Sequence, residues 1–184
     1  MLSFISRHFC AVLLLASLTT FGAAVQAESK AALEQSSREA LSALIKENSS
    51  ADALNDKAIA VLVFPKVTKA GLIVGGQYGE GVLWRDGKAV SFYSTAGVSV
   101  GFQAGAQEFG YALFFMKDSA LKALDTAQGF EVGVGPSIVV MDKGMAVSRT
   151  TTTMQDDIYA FIFDQRGLMA GLGIQGNKIT KIDK

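Results

Sequence analysis

Glycine is distributed unevenly along this chain, and its distribution divides the sequence into two parts. Of the 19 glycines, one is Gly22 and the other 18 lie between Gly71 and Gly176, whereas residues 28–70 contain none. Glycine is unfavourable inside helices, and within strands it marks bends or places where another group approaches the backbone. The sequence therefore predicts a helical beginning and a β-rich remainder.

Four segments of the glycine-containing part share one plan, in which apolar residues alternate with glycine, glutamine or serine. Successive side chains in a strand point to opposite faces, so each segment would have one apolar face and one nearly bare face. In the first segment, Gly71, Gly75 and Gly79 would lie on the same face. The segments cover residues 71–81, 97–107, 129–140 and 168–175.

Helical periodicity is confined to short stretches of the chain. Apolar residues recur at helical spacing between Leu33 and Ile45, which predicts an amphipathic helix of about four turns. Residues 51–56 and 118–128 are predicted to form further helices, and Asp86-Gly87 has the composition of a hairpin turn. The fold class is therefore α+β, with N-terminal helices packed on a large, strongly curved antiparallel sheet that resembles a barrel or a sandwich.

The first 27 residues have the pattern of a secretory signal peptide. Arg7 precedes an apolar stretch from Phe9 to Val25, and Val25 and Ala27 supply the small residues that a signal peptidase reads. A transmembrane anchor is the alternative, but the stretch is short and is diluted by polar residues. We expect cleavage before Glu28, which would leave residues 28–184 as one domain in the periplasm or outside the cell.

Composition excludes several classes of function. The chain has 17 basic and 17 acidic residues, and loss of Arg7 would leave 16 against 17, so no overall charge favours a nucleic-acid partner. His8 and Cys10 are the sole histidine and cysteine, and both would leave with the signal peptide. Thiol nucleophiles, histidine bases and the usual zinc sites would then be excluded together. We expect no enzymatic activity, no metal and no cofactor.

Four glycine-containing blocks follow one another in a fixed order. They are Val63-Phe64-Pro65-x-x-x-Lys69-Ala70-Gly71, Gly75-Gly76-x-x-Gly79-x-Gly81, Gly97-x-x-x-Gly101-x-x-x-Gly105 and Gly167-Leu168-x-Ala170-Gly171-Leu172. Together they resemble the SYLF domain family over nearly the whole chain after residue 27. The resemblance implies phospholipid binding, with phosphoinositides as the eukaryotic ligands and actin bundling in fungi, and it implies no catalytic residues. Bacterial members of the family are small exported lipid-binding proteins.

Five basic residues are candidates for contact with lipid phosphate. Pro65 ends an apolar run, and we interpret the two lysines that follow it as a corner between strands. If the loops cluster at one end of a barrel, these residues would form a local positive rim; solvated loop lysines are the alternative. Each lysine near an anionic surface adds only about 1 kcal/mol, so several must act together. The candidates are Lys57, Lys66, Lys69, Arg85 and Lys88.

The bare glycine face suggests a docking floor, because a strand without side chains lets another group lie close to its backbone. We expect the N-terminal helix to dock there; an acyl chain and strong sheet curvature are the alternatives. The indole near the Asp86-Gly87 turn would lie at a membrane interface or at the rim of the core. The candidates for membrane contact or helix docking are Leu41, Leu44, Ile45, Gly71, Gly75, Gly79 and Trp84.

These observations predict an exported, non-enzymatic periplasmic protein that binds anionic phospholipid at a membrane surface. The rival hypothesis is a structural or protein-interaction module of the cell envelope that has no lipid ligand. The expected partners are anionic phospholipids or the membrane surface, without nucleic acid. We do not expect actin as a partner of an exported bacterial protein, and the oligomeric state is left open.

Overall fold

Two helices begin the described part of the chain. Helix α1 spans Lys30–Glu47, and the Ser29 side chain caps it by accepting a hydrogen bond from the backbone N–H of Ala32. Helix α2 spans Ser49–Asn55, and the Asn48 side chain accepts from the first backbone N–H groups of this helix. The predicted N-terminal helices are confirmed. The computed structural model describes residues 28–71, 74–100, 105–126, 129–141, 155–167 and 176–184.

The remaining described residues contribute a single eight-stranded sheet and one further helix. The strand order is β5-β8-β3-β2-β1-β4-β7-β6, and every neighbouring pair is antiparallel except β6 and β7, which are parallel. The α+β class with N-terminal helices on a large curved sheet is confirmed, and the sheet forms a half-barrel. The elements are β1 Ala60–Gly71, β2 Val74–Arg85, β3 Lys88–Val100, β4 Gly105–Phe115, α3 Asp118–Leu124, β5 Phe130–Glu131, β6 Ile138–Met141, β7 Ile158–Gly167 and β8 Lys178–Ile182.

A hydrogen bond across the sheet shows how strongly it curls. The Tyr111 hydroxyl donates to the Thr95 hydroxyl oxygen at 2.7 Å, although β1 and β2 lie between their two strands. Three strand spacings amount to about 14 Å in a flat sheet, which is farther than these two side chains reach. The sheet therefore curls towards the face that carries Leu62, Phe64 and Tyr111, which we call the inner face. The outer face carries Val61, Val63 and Trp84.

Both faces of the sheet are covered. On the inner face, α3 buries Ala120 and Leu124 in a core formed largely by aromatic and aliphatic strand residues. On the outer face, α1 and α2 bury Leu33, Leu44 and Leu54. Because β1 is buried from both sides, Ala60 to Phe64 form a continuous apolar run rather than an alternating one.

The segment predicted as a single strand from residue 129 to 140 forms two short strands instead. β5 pairs with β8 at one edge of the sheet, whereas β6 pairs with β7 at the opposite edge. Gly133 and Gly135 adopt positive φ angles of 96° and 93°, and Pro136 lacks a backbone donor. The strand is therefore interrupted between β5 and β6. The chain from Glu131 to Ile138 spans at most about 25 Å, whereas the seven strand spacings of a flat sheet amount to about 34 Å, so the curl brings the two edges nearer to each other.

The predicted corner at Pro65 is a bulge inside one continuous strand. The pairing register of β1 shifts between Val63 and Lys66 on one side and between Phe64 and Val67 on the other. Proline has no N–H for a regular ladder, which is why it is accommodated at a bulge. The extra residue exchanges the two faces, so Val67 and Lys69 follow Phe64 on the inner face while Lys66 is exposed.

The glycine stripe faces the inner core and does not receive the N-terminal helix, which corrects that expectation. Gly75, Gly79 and Gly81 share the inner face of β2 with Leu83, whereas α1 lies on the outer face. A Cβ at Gly81 would lie 2.6 Å from both the Phe64 ring and the Val63 carbonyl oxygen. The concave side of a curled sheet is crowded, so glycine makes room for side chains of the neighbouring strand. Sheet curvature, one of the three explanations considered, accounts for these glycines.

Other sequence-based expectations have mixed outcomes. The Asp86-Gly87 hairpin is confirmed, with φ angles of 50° and 70° at its two central residues. The predicted helix at residues 118–128 ends at Leu124. The fourth alternating segment, residues 168–175, and part of the second, residues 101–104, lie outside the described residues.

Substitution of an inner-face glycine tests this packing. Gly81→Ala should destabilise the fold by about 1–3 kcal/mol because the added methyl group overpacks against Phe64. Gly76→Ala is the matched control on the outer face of the same strand, where the nearest atom to the new Cβ is 3.9 Å away. Urea unfolding of both variants measures the difference. Equal destabilisation by the two substitutions would contradict the crowding explanation.

An ion pair and several hydrogen bonds join the parallel edge to the start of α3. The Asp157 carboxylate accepts hydrogen bonds from the backbone N–H and the hydroxyl of Ser137, and it lies 2.7 Å from the Lys117 ammonium. Lys117 also donates to the Gln155 carbonyl oxygen. The Lys117 ammonium, followed by the Ser137 N–H, lowers the pKa of Asp157 below its ordinary value of 3.8.

This lowered pKa gives a pH dependence with a definite sign. The folded state favours ionised Asp157, so its contribution to stability is present above about pH 4 and is lost as the pH falls through the depressed pKa. Asp157→Asn should lower the melting temperature at pH 7, and the gap from wild type should close in acid. Asp183→Asn, at an exposed position, is the control. A gap that is constant from pH 7 to pH 2 would contradict the assignment.

Candidate functional site

A cleft of about 620 Å³ opens on the outer face between α1, the end of α2 and the β2–β3 turn. Leu41 and Ile45 of α1 form one apolar wall, and the Ala58–Val61 stretch forms the other. Trp84 and the turn that follows it complete the lining. The cleft therefore joins elements that are far apart in sequence.

Local sequence places the lining side chains. Arg38, Leu41, Ser42 and Ile45 are spaced three or four residues apart, so they lie on one face of α1. The Asp86-Gly87 hairpin has both central residues at positive φ, which is the geometry of a two-residue turn that matches strand twist. This turn brings Arg85 beside the helix.

Trp84 is held at the bottom of the cleft. Its side chain is almost fully buried, and its indole N–H donates a hydrogen bond of 2.8 Å to the Ser37 hydroxyl oxygen. The Arg38 guanidinium lies over the ring at 4.5 Å from its centre, a cation–π arrangement. Trp84 thus docks α1 on the sheet and presents a cation above an aromatic surface.

The cleft has an excess of basic residues. Arg38, Lys46 and Arg85 line it, against the acidic Asp56 and Asp86. Lys57 and Lys88 are the next residues along the chain from Asp56 and Gly87, and both are exposed. A cationic rim beside apolar walls can hold an amphipathic anion, although each charge near a surface contributes only about 1 kcal/mol.

The structure divides the predicted site residues among three places. Leu41, Ile45, Trp84 and Arg85 line the cleft, and Lys57 and Lys88 flank it. Leu44 is buried beneath α1 in the outer core. The single rim of five basic residues expected from the sequence does not form, because β1 is one long strand rather than two strands joined at a corner. The remaining candidates, Lys66, Lys69, Gly71, Gly75 and Gly79, lie farther along β1 and β2.

The two lysines of β1 have separate environments. Lys66 is exposed and forms an ion pair of 2.7 Å with Glu108 of the neighbouring strand. Lys69 is buried on the inner face, with 7% of its surface exposed. Neither lysine lies at the cleft.

Among the α1 residues that line the cleft, three were not candidates in the sequence analysis. They are Arg38, Ser42 and Lys46. The spacing of these three residues relative to Leu41 and Ile45 places them on a shared face of α1. The sequence does not show, however, that the β2–β3 hairpin lies beside this face and completes the cleft.

The ionisable groups with shifted pKa values lie away from the cleft. Burial, followed by the hydrogen bond to Glu80, raises the pKa of Tyr78. Burial is also the main cause that raises the pKa of Tyr93 and Tyr111. Within the described ranges, no three acidic, histidine or cysteine side chains converge as metal ligands. Among the helices of the described residues, none is both long and apolar enough to span a membrane.

A comparison with protein families supports the resemblance to the SYLF domain family. Residues 96–184 match the family model described as "Ysc84: Las17-binding protein actin regulator", which is the SYLF domain. The match begins within β3, so the central strands β1 and β2 precede it. No curated protein matches the chain in a sequence search.

Proposed function

We propose that this chain binds anionic phospholipid at a membrane surface, through the outer-face cleft and without catalysis. The observation that carries the proposal is the juxtaposition of apolar walls, Leu41 and Ile45, with the basic Arg38, Lys46 and Arg85. A phospholipid has the same combination of an apolar portion and a negatively charged head group. The match of residues 96–184 to a family linked to lipid and actin binding supports a binding role.

The cleft suggests how a head group is held. Arg38 stacks over Trp84, which fixes its guanidinium plane and leaves its N–H groups free to donate to phosphate oxygens. Arg85 approaches from the hairpin and Lys46 from the last turn of α1. Because several cations act on one anion, we expect binding to weaken as salt is added.

Export to the periplasm is part of the proposal and has its own test. The pattern of residues 1–27 predicts cleavage after Ala27. N-terminal sequencing of the protein recovered from a periplasmic extract should begin at Glu28. Recovery of the full-length chain in the cytoplasmic fraction would contradict export without affecting the lipid-binding proposal.

A second candidate function is a protein-interaction module with no lipid ligand. The description of the matched family, which names Las17 binding and actin regulation, favours this alternative. An exported protein would not meet actin, so the partner would have to be another envelope protein. Vesicle binding separates the two functions.

Charge reversal at the cleft tests lipid binding. The double variant Lys46→Glu/Arg85→Glu should lower co-sedimentation with phosphatidylglycerol vesicles at least tenfold, because it replaces two attractive charges by two repulsive ones. Wild type should bind at low ionic strength and lose binding as sodium chloride is added.

A matched control separates local from overall charge effects. Lys122→Glu/Lys178→Glu makes the same net charge change at two exposed lysines outside the cleft and should retain most of the binding. Absence of wild-type binding to the vesicles at low salt would overturn the lipid proposal and favour the protein-interaction module. Equal losses in the two double variants would overturn the cleft as the site.

A further inference from the structure

A row of polar side chains crosses the inner face of the half-barrel near the end of the central strands. Lys69 of β1 pairs in register with Gln107 of β4 on one side and with Gln77 of β2 on the other. Residues directly opposite each other in antiparallel strands project from the same face of the sheet. Three neighbouring strands therefore present an amide, an ammonium and an amide side by side.

On the next strand, β3, the corresponding position of the row is a glycine, and a side chain from elsewhere in the chain fills it. Gln77 pairs with Gly97 of β3, and the Asn177 side chain occupies the space where a Cβ of Gly97 would lie. The same Cβ position is 3.2 Å from the Cγ atom of Gln77. Beneath the row, the Tyr111 hydroxyl donates a hydrogen bond to the Thr95 hydroxyl oxygen. Three carboxamides and one ammonium thus form a connected polar layer.

The polar layer is buried but incompletely paired. Gln107, Gln77 and Asn177 are 5%, 9% and 3% exposed. In the described part of the chain, Gln77 Nε2, Gln107 Oε1 and Asn177 Nδ2 have no hydrogen-bond partner. Lys69, at 7% exposed, has no carboxylate within ion-pair distance among the described residues. Unpaired buried polar groups cost about 1–3 kcal/mol each, and an unpaired charge costs more.

Bare backbone lies beside the polar layer. The next row on the same face consists of Gly105, Gly71 and Gly75, which are in register across β4, β1 and β2. Among the described residues, no atom lies within 4 Å of the position that a Cβ of Gly105 would occupy. A Cβ at Gly71 would meet the Gly75 backbone, so the open space among the described residues lies at Gly105, where a ligand can approach the strand closely.

We infer that this layer, Lys69 with Gln77, Gln107 and Asn177, is a binding site for a phosphate ester group. An ammonium supplies the charge, and each carboxamide can turn its NH₂ group towards an anion, since the amide oxygen and nitrogen exchange places by rotation. An ammonium and several amide donors together match the negatively charged oxygens of a phosphate ester. The site lies on the opposite face of the sheet from the cleft and does not depend on the proposed function.

The phosphate ester can come from a lipid head group or from a soluble metabolite. Glycerol 3-phosphate represents the soluble source, and short-chain dihexanoyl phosphatidylglycerol represents the lipid source. Binding of glycerol 3-phosphate assigns the site to soluble phosphate esters. If only the short-chain lipid binds, the site recognises a lipid head group together with the glycerol ester portion next to it.

The test compares Lys69→Met with the control Lys122→Met, which removes an exposed lysine of α3. At constant ionic strength, a tenfold excess of the bound probe over its dissociation constant should raise the wild-type melting temperature by about 3–6 °C. Lys69→Met should bind the probe at least tenfold more weakly, whereas Lys122→Met should bind as wild type does. Without probe, Lys69→Met should melt close to the wild-type temperature, because methionine keeps most of the buried apolar stem of the lysine.

The wild-type protein gives a second readout that needs no variant. Side-chain amide NMR signals of Gln77, Gln107 and Asn177 should shift when the bound probe is added. Absence of any shift with both probes, or unchanged affinity in Lys69→Met, would overturn the inner site. Lys46→Glu/Arg85→Glu should keep full affinity for the probe, so failure of the outer cleft and failure of the inner site are distinguishable.

Discussion

The inward curl of the sheet is the constraint on which the rest of this structure depends. It brings Tyr111 within hydrogen-bond distance of Thr95 across two intervening strands, and it brings the edge strands β5 and β6 close enough for residues 132–137 to join them. A curled sheet has a crowded concave side, and inner-face glycines relieve that crowding where Phe64 and Val67 lie across the neighbouring strand. The glycines of β2 therefore help the sheet to curl.

The curl also gives the two faces different chemistry. On the outer face, α1 and α2 cover an apolar surface, and the cleft forms where α1 diverges from the β2–β3 hairpin. On the inner face, α3 fills one part with apolar side chains, while the polar layer around Lys69 lies towards the glycine-rich strand ends. An amphipathic surface site and a buried polar site can therefore coexist without sharing a residue. We propose lipid binding for the first site and phosphate ester binding for the second.

Several features could be predicted from sequence because they depend on local periodicity. Alternation indicated the strands, the spacing of Leu41 and Ile45 indicated the amphipathic helix, and Asp86-Gly87 indicated the hairpin. The corner at Pro65 was wrong because a bulge and a turn both accommodate proline, and sequence alone does not separate them. Four of the 15 residues that line the cleft could be anticipated, since Leu41, Ile45, Trp84 and Arg85 were candidates. Arg38 and Lys46 were not, because their assignment depends on what packs beside the helix.

The sequence by itself determined the class of fold, the two-part division of the chain and the resemblance to the SYLF family, since each depends on residue order and short-range spacing. Only the tertiary structure decided which face each side chain occupies. One extra residue at the β1 bulge reverses the alternation that follows it, so Lys69 lies inside the half-barrel and Lys66 outside. Curvature and strand order then decide which distant residues meet. Both arise from packing among strands far apart in sequence, which no local pattern encodes.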